Sequence, residues 1–251
     1  MPASVHSLLC LPASSLRSFV VQWEWMSRIE RICDLLDAAY GKHSMGRDLK
    51  SRPIRGGPLD ELVLTILSQN TTARNCRQAF RVLSERFPTW DDARTGDERE
   101  IARAIHSGGL SQIKAARIKT ILQQIYEAQG NLDLSWLARV GSEEARDYLL
   151  RFRGVGPKTA ACVLLFSLGR PVLPVDTHVH RVSKRLGLIG PKVSAQQAHK
   201  ILQDMVPAER IYSFHVNMVT HGREVCVAGT PKCPVCVLKG DCDYVGRVRA
   251  S

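Results

Sequence analysis

The chain has no long apolar run, no convincing alternation of apolar and polar residues, and no internal repeat or low-complexity tract. The first absence excludes a membrane-spanning helix, which needs about 20 consecutive apolar residues. The second excludes a half-buried sheet as the scaffold. Only residues 170–175, with Pro171 and Pro174, read as extended. Acid is scarce as well: 24 Asp and Glu stand against 35 Lys and Arg, a net charge of +11. Such a surface is drawn to polyanions, with binding that weakens steeply as salt rises. Residues 1–25 carry one basic residue, Arg17, and one acid, Glu24. Their apolar stretch is too short and uncharged for a secretory signal, and they hold too little arginine for a transit peptide.

What is present is helical periodicity. Leu59, Leu62, Val63, Ile66 and Leu67 recur at helix spacing, as do Ala198, Ile201, Leu202 and Met205, and again Ile211, Phe214, His215, Met218 and Val219. The fold class is therefore all-α, and 251 residues with 44% apolar content can bury one large core or two modest ones. Regular amphipathic helix begins at Met26. A helix over Thr72–Phe87 carries Arg74, Arg77 and Arg81 on one face, which by itself reads as a solvated face.

The richest local signal is Gly154-Val155-Gly156-Pro157-Lys158. Glycines at 154 and 156 permit positive φ, so the chain can turn tightly and present N–H groups to an anion. Pro157 suits the first position of a helix that runs to Phe166, and a serine-capped helix over Ser142–Phe152 precedes the turn. A helix start behind a glycine turn is a phosphate site, although Gly-x-Gly alone fits an ordinary helix–helix turn equally well. Lys158 and Asp176, eighteen residues apart, read singly as a surface lysine and a helix-capping aspartate. Together they supply a nucleophile and a carboxylate able to take its proton or to stabilise a cationic transition state.

Four of the eight cysteines fall within seventeen residues, as Cys226-x6-Cys233-x2-Cys236-x5-Cys242. This spacing reads as one metal–thiolate site, with zinc and an iron–sulfur cluster both open and paired disulfides disfavoured. Cys10, Cys33, Cys76 and Cys162 are scattered and read as buried free thiols.

Phe152 to Ala160, with Val175-Asp176-Thr177-His178-Val179 and the cysteine spacing, resembles the signatures of the endonuclease III family, helix-hairpin-helix DNA glycosylases, over about Met26 to Tyr244. The resemblance implies a two-domain all-α fold, a six-helix domain over 52–170 and an iron–sulfur domain joining 26–51 to 171–246, with 247–251 as a tail. It implies that Lys158 attacks the deoxyribose C1′ of a damaged nucleotide with help from Asp176, and that a Schiff base then undergoes β-elimination. It selects a [4Fe–4S] cluster on Cys226, Cys233, Cys236 and Cys242, and damaged double-stranded DNA as partner. Gly154, Val155, Gly156, His178 and Lys232 would then contact DNA, although the 227–232 loop carries a single basic residue where relatives often have more.

If a nucleotide is extruded, something fills the gap. Leu110, in Ser107-Gly108-Gly109-Leu110, can wedge into a base step or pack as a core leucine. Gln69 and Asn70 carry amides at a helix end, and ungapped comparison puts Asn70 at the family's plugging glutamine and Ala73 where an aspartate is usual. The reading that follows is a bifunctional glycosylase and abasic-site lyase for oxidised or reduced pyrimidines. A glycosylase for mismatched bases or uracil, and a noncatalytic DNA-binding or redox-sensing protein, are the alternatives. A monomer is expected, without membrane attachment, in the bacterial cytoplasm with the nucleoid or in a eukaryotic nucleus. Deleting residues 1–25 is expected to leave folding and activity nearly intact, checked by thermal melting and strand cleavage.

Overall fold

Helices and short 3₁₀ turns make up all the regular structure among the described residues, 13–44 and 57–250 of a computed structural model. Side chains are described over 26–44 and 57–246. Helix α1 spans Ala13–Tyr40 and ends where Gly41 takes φ 93°. It begins thirteen residues before the expected start at Met26, because neither Gly nor Pro interrupts the chain between Ala13 and Tyr40.

Helix α2, Pro58–Leu67, opens on a proline with Asp60 and Glu61 in its first turn. Helices α3 (Ala73–Arg86), α4 (Trp90–Thr95), α5 (Glu98–Ala104) and α6 (Ser111–Gln129) follow. Thr72 caps α3 by accepting from the Asn75 amide, and Thr89 with Asp92 forms a capping box on α4. Helix α7 spans Ser142–Leu150. Its N-cap is Gly141, so Ser142 is the first helical residue and not the expected cap. Helices α8 (Pro157–Phe166), α9 (Thr177–Leu186), α10 (Ala195–Met205), α11 (Ile211–Glu224) and α12 (Asp243–Ala250) complete the described chain.

Two hydrophobic clusters result. The first gathers Leu62 and Ile66 of α2, Phe80 and Leu83 of α3, Ile118 and Leu122 of α6, and Leu149 of α7. The second gathers Ile32 and Leu36 of α1, Val182 of α9, Leu202 of α10, and Phe214 and Met218 of α11. Helix α8 belongs to both: Ala160, Val163 and Leu164 face the first, Cys162, Leu165 and Phe166 the second. The stretch between α6 and α7 is packed, with Leu134 and Leu137 buried and Trp136 donating to the Gln129 side chain at 3.0 Å.

Helix α1 is held to α11 by polar groups as well. Asp37 accepts from Ser213 Oγ and Asn217 Nδ2, and Arg210 pairs with both Asp34 and Asp37. Cys33, Cys76 and Cys162 are buried free thiols, and burial pushes Cys33 up to about 12. Cys10 lies outside the described residues. Leu164→Ala should cost about 2–5 kcal/mol, read from urea unfolding, because its cavity opens in a helix packed on both faces.

Candidate active site

Only one of the two hairpin glycines uses its conformational freedom. Gly154 sits at φ 92°, and a Cβ there would lie 2.8 Å from Arg117 Nε. Gly156, expected to share the positive φ, instead adopts φ −99° and ψ 178° as the N-cap of α8. The reason is Pro157, whose ring drives the preceding residue to extended backbone. Val155 is buried against the first cluster and its amide bonds the Phe152 carbonyl at 3.0 Å, pinning the turn. The first-turn amides of α8 are left without helical carbonyls, as at any helix start.

One residue into α8, Lys158 leaves the hairpin on a partly buried stem. Asp176 is the N-cap of α9, its Oδ1 accepting from the amides of His178 at 2.9 Å and Val179 at 2.8 Å. It caps the helix and acts electrostatically on the lysine at once. Burial pushes the Lys158 amine down, but the nearby acidic groups Cys162, Asp176 and Glu61 outweigh it and hold the amine above its ordinary value. Cys162, one helical turn on, hydrogen bonds with Lys158, and burial pushes its thiol up. His199 of α10 also feels the lysine charge, and burial lowers its pKa. Glu61, Cys162 and His199 were not singled out from the sequence. Glu61 and Cys162 sit within apolar helical runs that read as core; Cys162 reaches the amine along its own helix, and Glu61 acts on it from α2.

His178 stands in the first turn of α9 with its ring 3.2 Å from Arg181, where burial depresses its pKa. Gln69 and Asn70 lie just past α2, Asn70 exposed at φ 52°. Leu110 is the N-cap of α6, 51% exposed at φ 50°, so its side chain is a loop tip and not core. Lys114 and Arg117 of α6 tie these loops together. Lys114 Nζ donates to the carbonyls of Leu67 and Gly108, both at 2.8 Å, and Arg117 donates to Gln69 Oε1 at 2.7 Å. The stripe of Arg74, Arg77 and Arg81 is exposed, with Arg81 paired to Glu85.

The four C-terminal cysteines line one small cavity together with Arg185, Pro231, Lys232 and Tyr244. Among the described residues no three His, Cys, Asp or Glu side chains converge closely enough to hold a single metal ion. Four thiols lining one cavity are a donor set that suits zinc and an iron–sulfur cluster alike. Arg185 Nη1 donates to Cys226 Sγ at 3.3 Å, and His221 Nε2 lies 3.5 Å from Cys236 Sγ. Arg185 also donates to the carbonyls of Val227 and Ala228, holding the loop that carries exposed Lys232.

The family model of the HhH-GPD superfamily base excision DNA repair proteins matches residues 63–208, which include the hairpin, Lys158 and Asp176. The chain belongs to that superfamily. A protein of Arabidopsis thaliana named as a putative DNA glycosylase is 38% identical over 193 residues, 75% of this chain and 65% of that protein's length. Endonuclease III of Sulfolobus acidocaldarius is 31% identical over 185 residues, 73% of this chain and 80% of that protein. A trapped endonuclease III–DNA covalent intermediate superimposes with a TM-score of 0.75 at 28% identity, covering 90% of this chain and 99% of that one. The resemblance to endonuclease III and the all-α helix-hairpin-helix fold therefore hold. No helix among the described residues is long and apolar enough to cross a membrane.

Within this HhH-GPD framework the turn residues carry testable strain. Gly154→Ala should destabilise by about 1–2 kcal/mol and weaken DNA binding, measured by thermal melting and anisotropy, because it demands positive φ and displaces Arg117. Asp176→Ala should lose about 1 kcal/mol of stability that Asp176→Asn retains, since asparagine still caps α9.

Proposed function

We propose that the chain is a base excision DNA N-glycosylase with abasic-site lyase activity that removes oxidised or reduced pyrimidines from double-stranded DNA. The observation that carries this reading is the convergence of Lys158, from the hairpin helix α8, with Asp176, from the cap of α9. In the proposed reaction Asp176 takes a proton from the amine. Nζ then attacks C1′ of the extruded nucleotide as the C1′–N bond breaks, and the departing base takes the proton that Asp176 had accepted. Ring opening leaves a C1′ imine on Lys158, and loss of a C2′ proton expels the 3′ phosphate by β-elimination.

The amides around Gly154, Val155 and Gly156 would hold the backbone, and Leu110, Gln69 and Asn70 would occupy the gap left by the extruded nucleotide, with His178 and Lys232 as further contacts. Cys226, Cys233, Cys236 and Cys242 would hold a [4Fe–4S] cluster, which when bound pins the 227–232 loop to the body. Domains over 52–170 and over 26–51 with 171–246, a dispensable 1–25 and a monomer complete the proposal.

Borohydride should trap wild-type protein on abasic DNA and fail to trap Lys158→Ala; an adduct that persists in the variant rejects Lys158 as nucleophile. Asp176→Asn should slow excision about 10²- to 10⁴-fold. The pH profile follows from the sign of the lysine shift. With the amine held above its ordinary value of about 10.4, Lys158 keeps its proton between pH 6 and 9. Internal transfer to Asp176 therefore predicts a flat single-turnover rate there, whereas a tenfold rise per pH unit would mean that solvent removes the proton. Anaerobically purified protein should contain iron and sulfide in about equal amounts, near four of each; zinc alone rejects the cluster.

A further inference from the structure

Among the described residues, the non-glycine residues with positive φ are Asn70 (φ 52°) and Leu110 (φ 50°). A left-handed conformation costs a residue with a side chain about 1–2 kcal/mol, and it persists where surrounding structure over-determines it. Both residues stand on loops that end at one buried cation. Lys114 is 2% exposed, and its Nζ donates at 2.8 Å to Leu67 O, three residues before Asn70, and at 2.8 Å to Gly108 O, two residues before Leu110. It makes no ion pair among the described residues, and burial lowers its pKa.

Burying an ammonium group without a carboxylate is expensive, and a methionine would fill similar space without that cost. The charge is therefore retained for the two carbonyls it joins. Gly108 shows the tightness of the join, since a Cβ there would press on Ala79 Cβ at 3.2 Å and come within 4.0 Å of the ammonium. One turn along the same helix, Arg117 holds Gln69 Oε1 at 2.7 Å and lies against Gly154 of the hairpin. Helix α6 thus sets the spacing of three loops through two cations.

We infer that Lys114 is a positioning residue for nucleotide extrusion, locking the 68–72 and 106–110 loops at one separation so that Asn70 and Leu110 enter the duplex together, with Arg117 fixing the same unit against the hairpin. This rests on the reading that this face binds damaged DNA. A helix-capping role alone would make Lys114 matter equally for every step. A role in extrusion makes it matter only where a stacked base must be displaced.

The full chain is tested as wild type, Lys114→Met and Arg117→Met. One probe is a duplex with a tetrahydrofuran abasic analogue opposite 2-aminopurine, whose fluorescence rises when the base opposite the gap is unstacked. Lys114→Met should bind this duplex within about threefold of wild type yet lose most of the fluorescence rise. On a duplex carrying 5-hydroxyuracil its single-turnover excision should fall about 100-fold, while β-elimination at a preformed abasic site changes less than about threefold. Arg117→Met, at a partly exposed position, should move the same ratio about tenfold and carries the test if Lys114→Met fails to melt cooperatively. An undiminished fluorescence rise, or equal losses of excision and elimination, overturns the inference. Wild-type protein that neither binds the tetrahydrofuran duplex nor is trapped on abasic DNA overturns the underlying repair reading, and that result needs no variant.

Discussion

The constraint on which the structure depends is the burial of helix α8 from all sides. Every residue from Thr159 to Phe166 is buried, one face in each hydrophobic cluster. A helix held in this way cannot rotate or slide without breaking both cores, because close-packed interiors tolerate little displacement. Its first turn is fixed in turn by Pro157 and by the extended Gly156. Lys158 therefore leaves the protein at a defined point, with its amine directed by packing that it does not itself supply.

Asp176 is positioned by a different device. Its carboxylate accepts from two amides at the start of α9, so the helix it caps also orients it. The cap and the electrostatic partner are one group, which explains why neither reading of this aspartate excludes the other. Around the pair the chemistry runs against the overall charge of the protein. The chain carries +11, yet the groups with most influence on Lys158, after burial, are the acidic Cys162, Asp176 and Glu61. The basic excess suits attraction to a polyanion at long range, while the local acids favour the protonated form of the Lys158 amine.

The two cations of α6 and the cysteine cavity extend the same logic. Lys114, Arg117 and Arg185 each use a charge to hold backbone or amide oxygens of loops that would otherwise have little to fix them. Loops facing a ligand bury little apolar surface of their own, and donors rooted in a helix supply the missing constraint.

The helices, their apolar faces, the hairpin and the cysteine spacing are legible in the chain itself. They depend on interactions a few residues long: periodic burial and Pro157 at a first turn. The start of α1 was misplaced because amphipathic regularity is a weaker signal than the absence of Gly and Pro across 13–40. The helix α7 cap was misplaced by one residue because Gly141 can cap as well as serine nearby. Lys114, Arg117 and Glu61 show no local pattern, since they act on groups of other segments, whereas Cys162 meets Lys158 along their own helix at a position that reads as core. What the sequence by itself determined was the all-helical class, the apolar faces of the main helices and the hairpin–helix motif that carries Lys158, because short-range geometry specifies them. What only the tertiary structure decided was which neighbours surround the amine and which cations brace the loops, because those contacts join residues up to a hundred positions apart and exist only once both cores have closed.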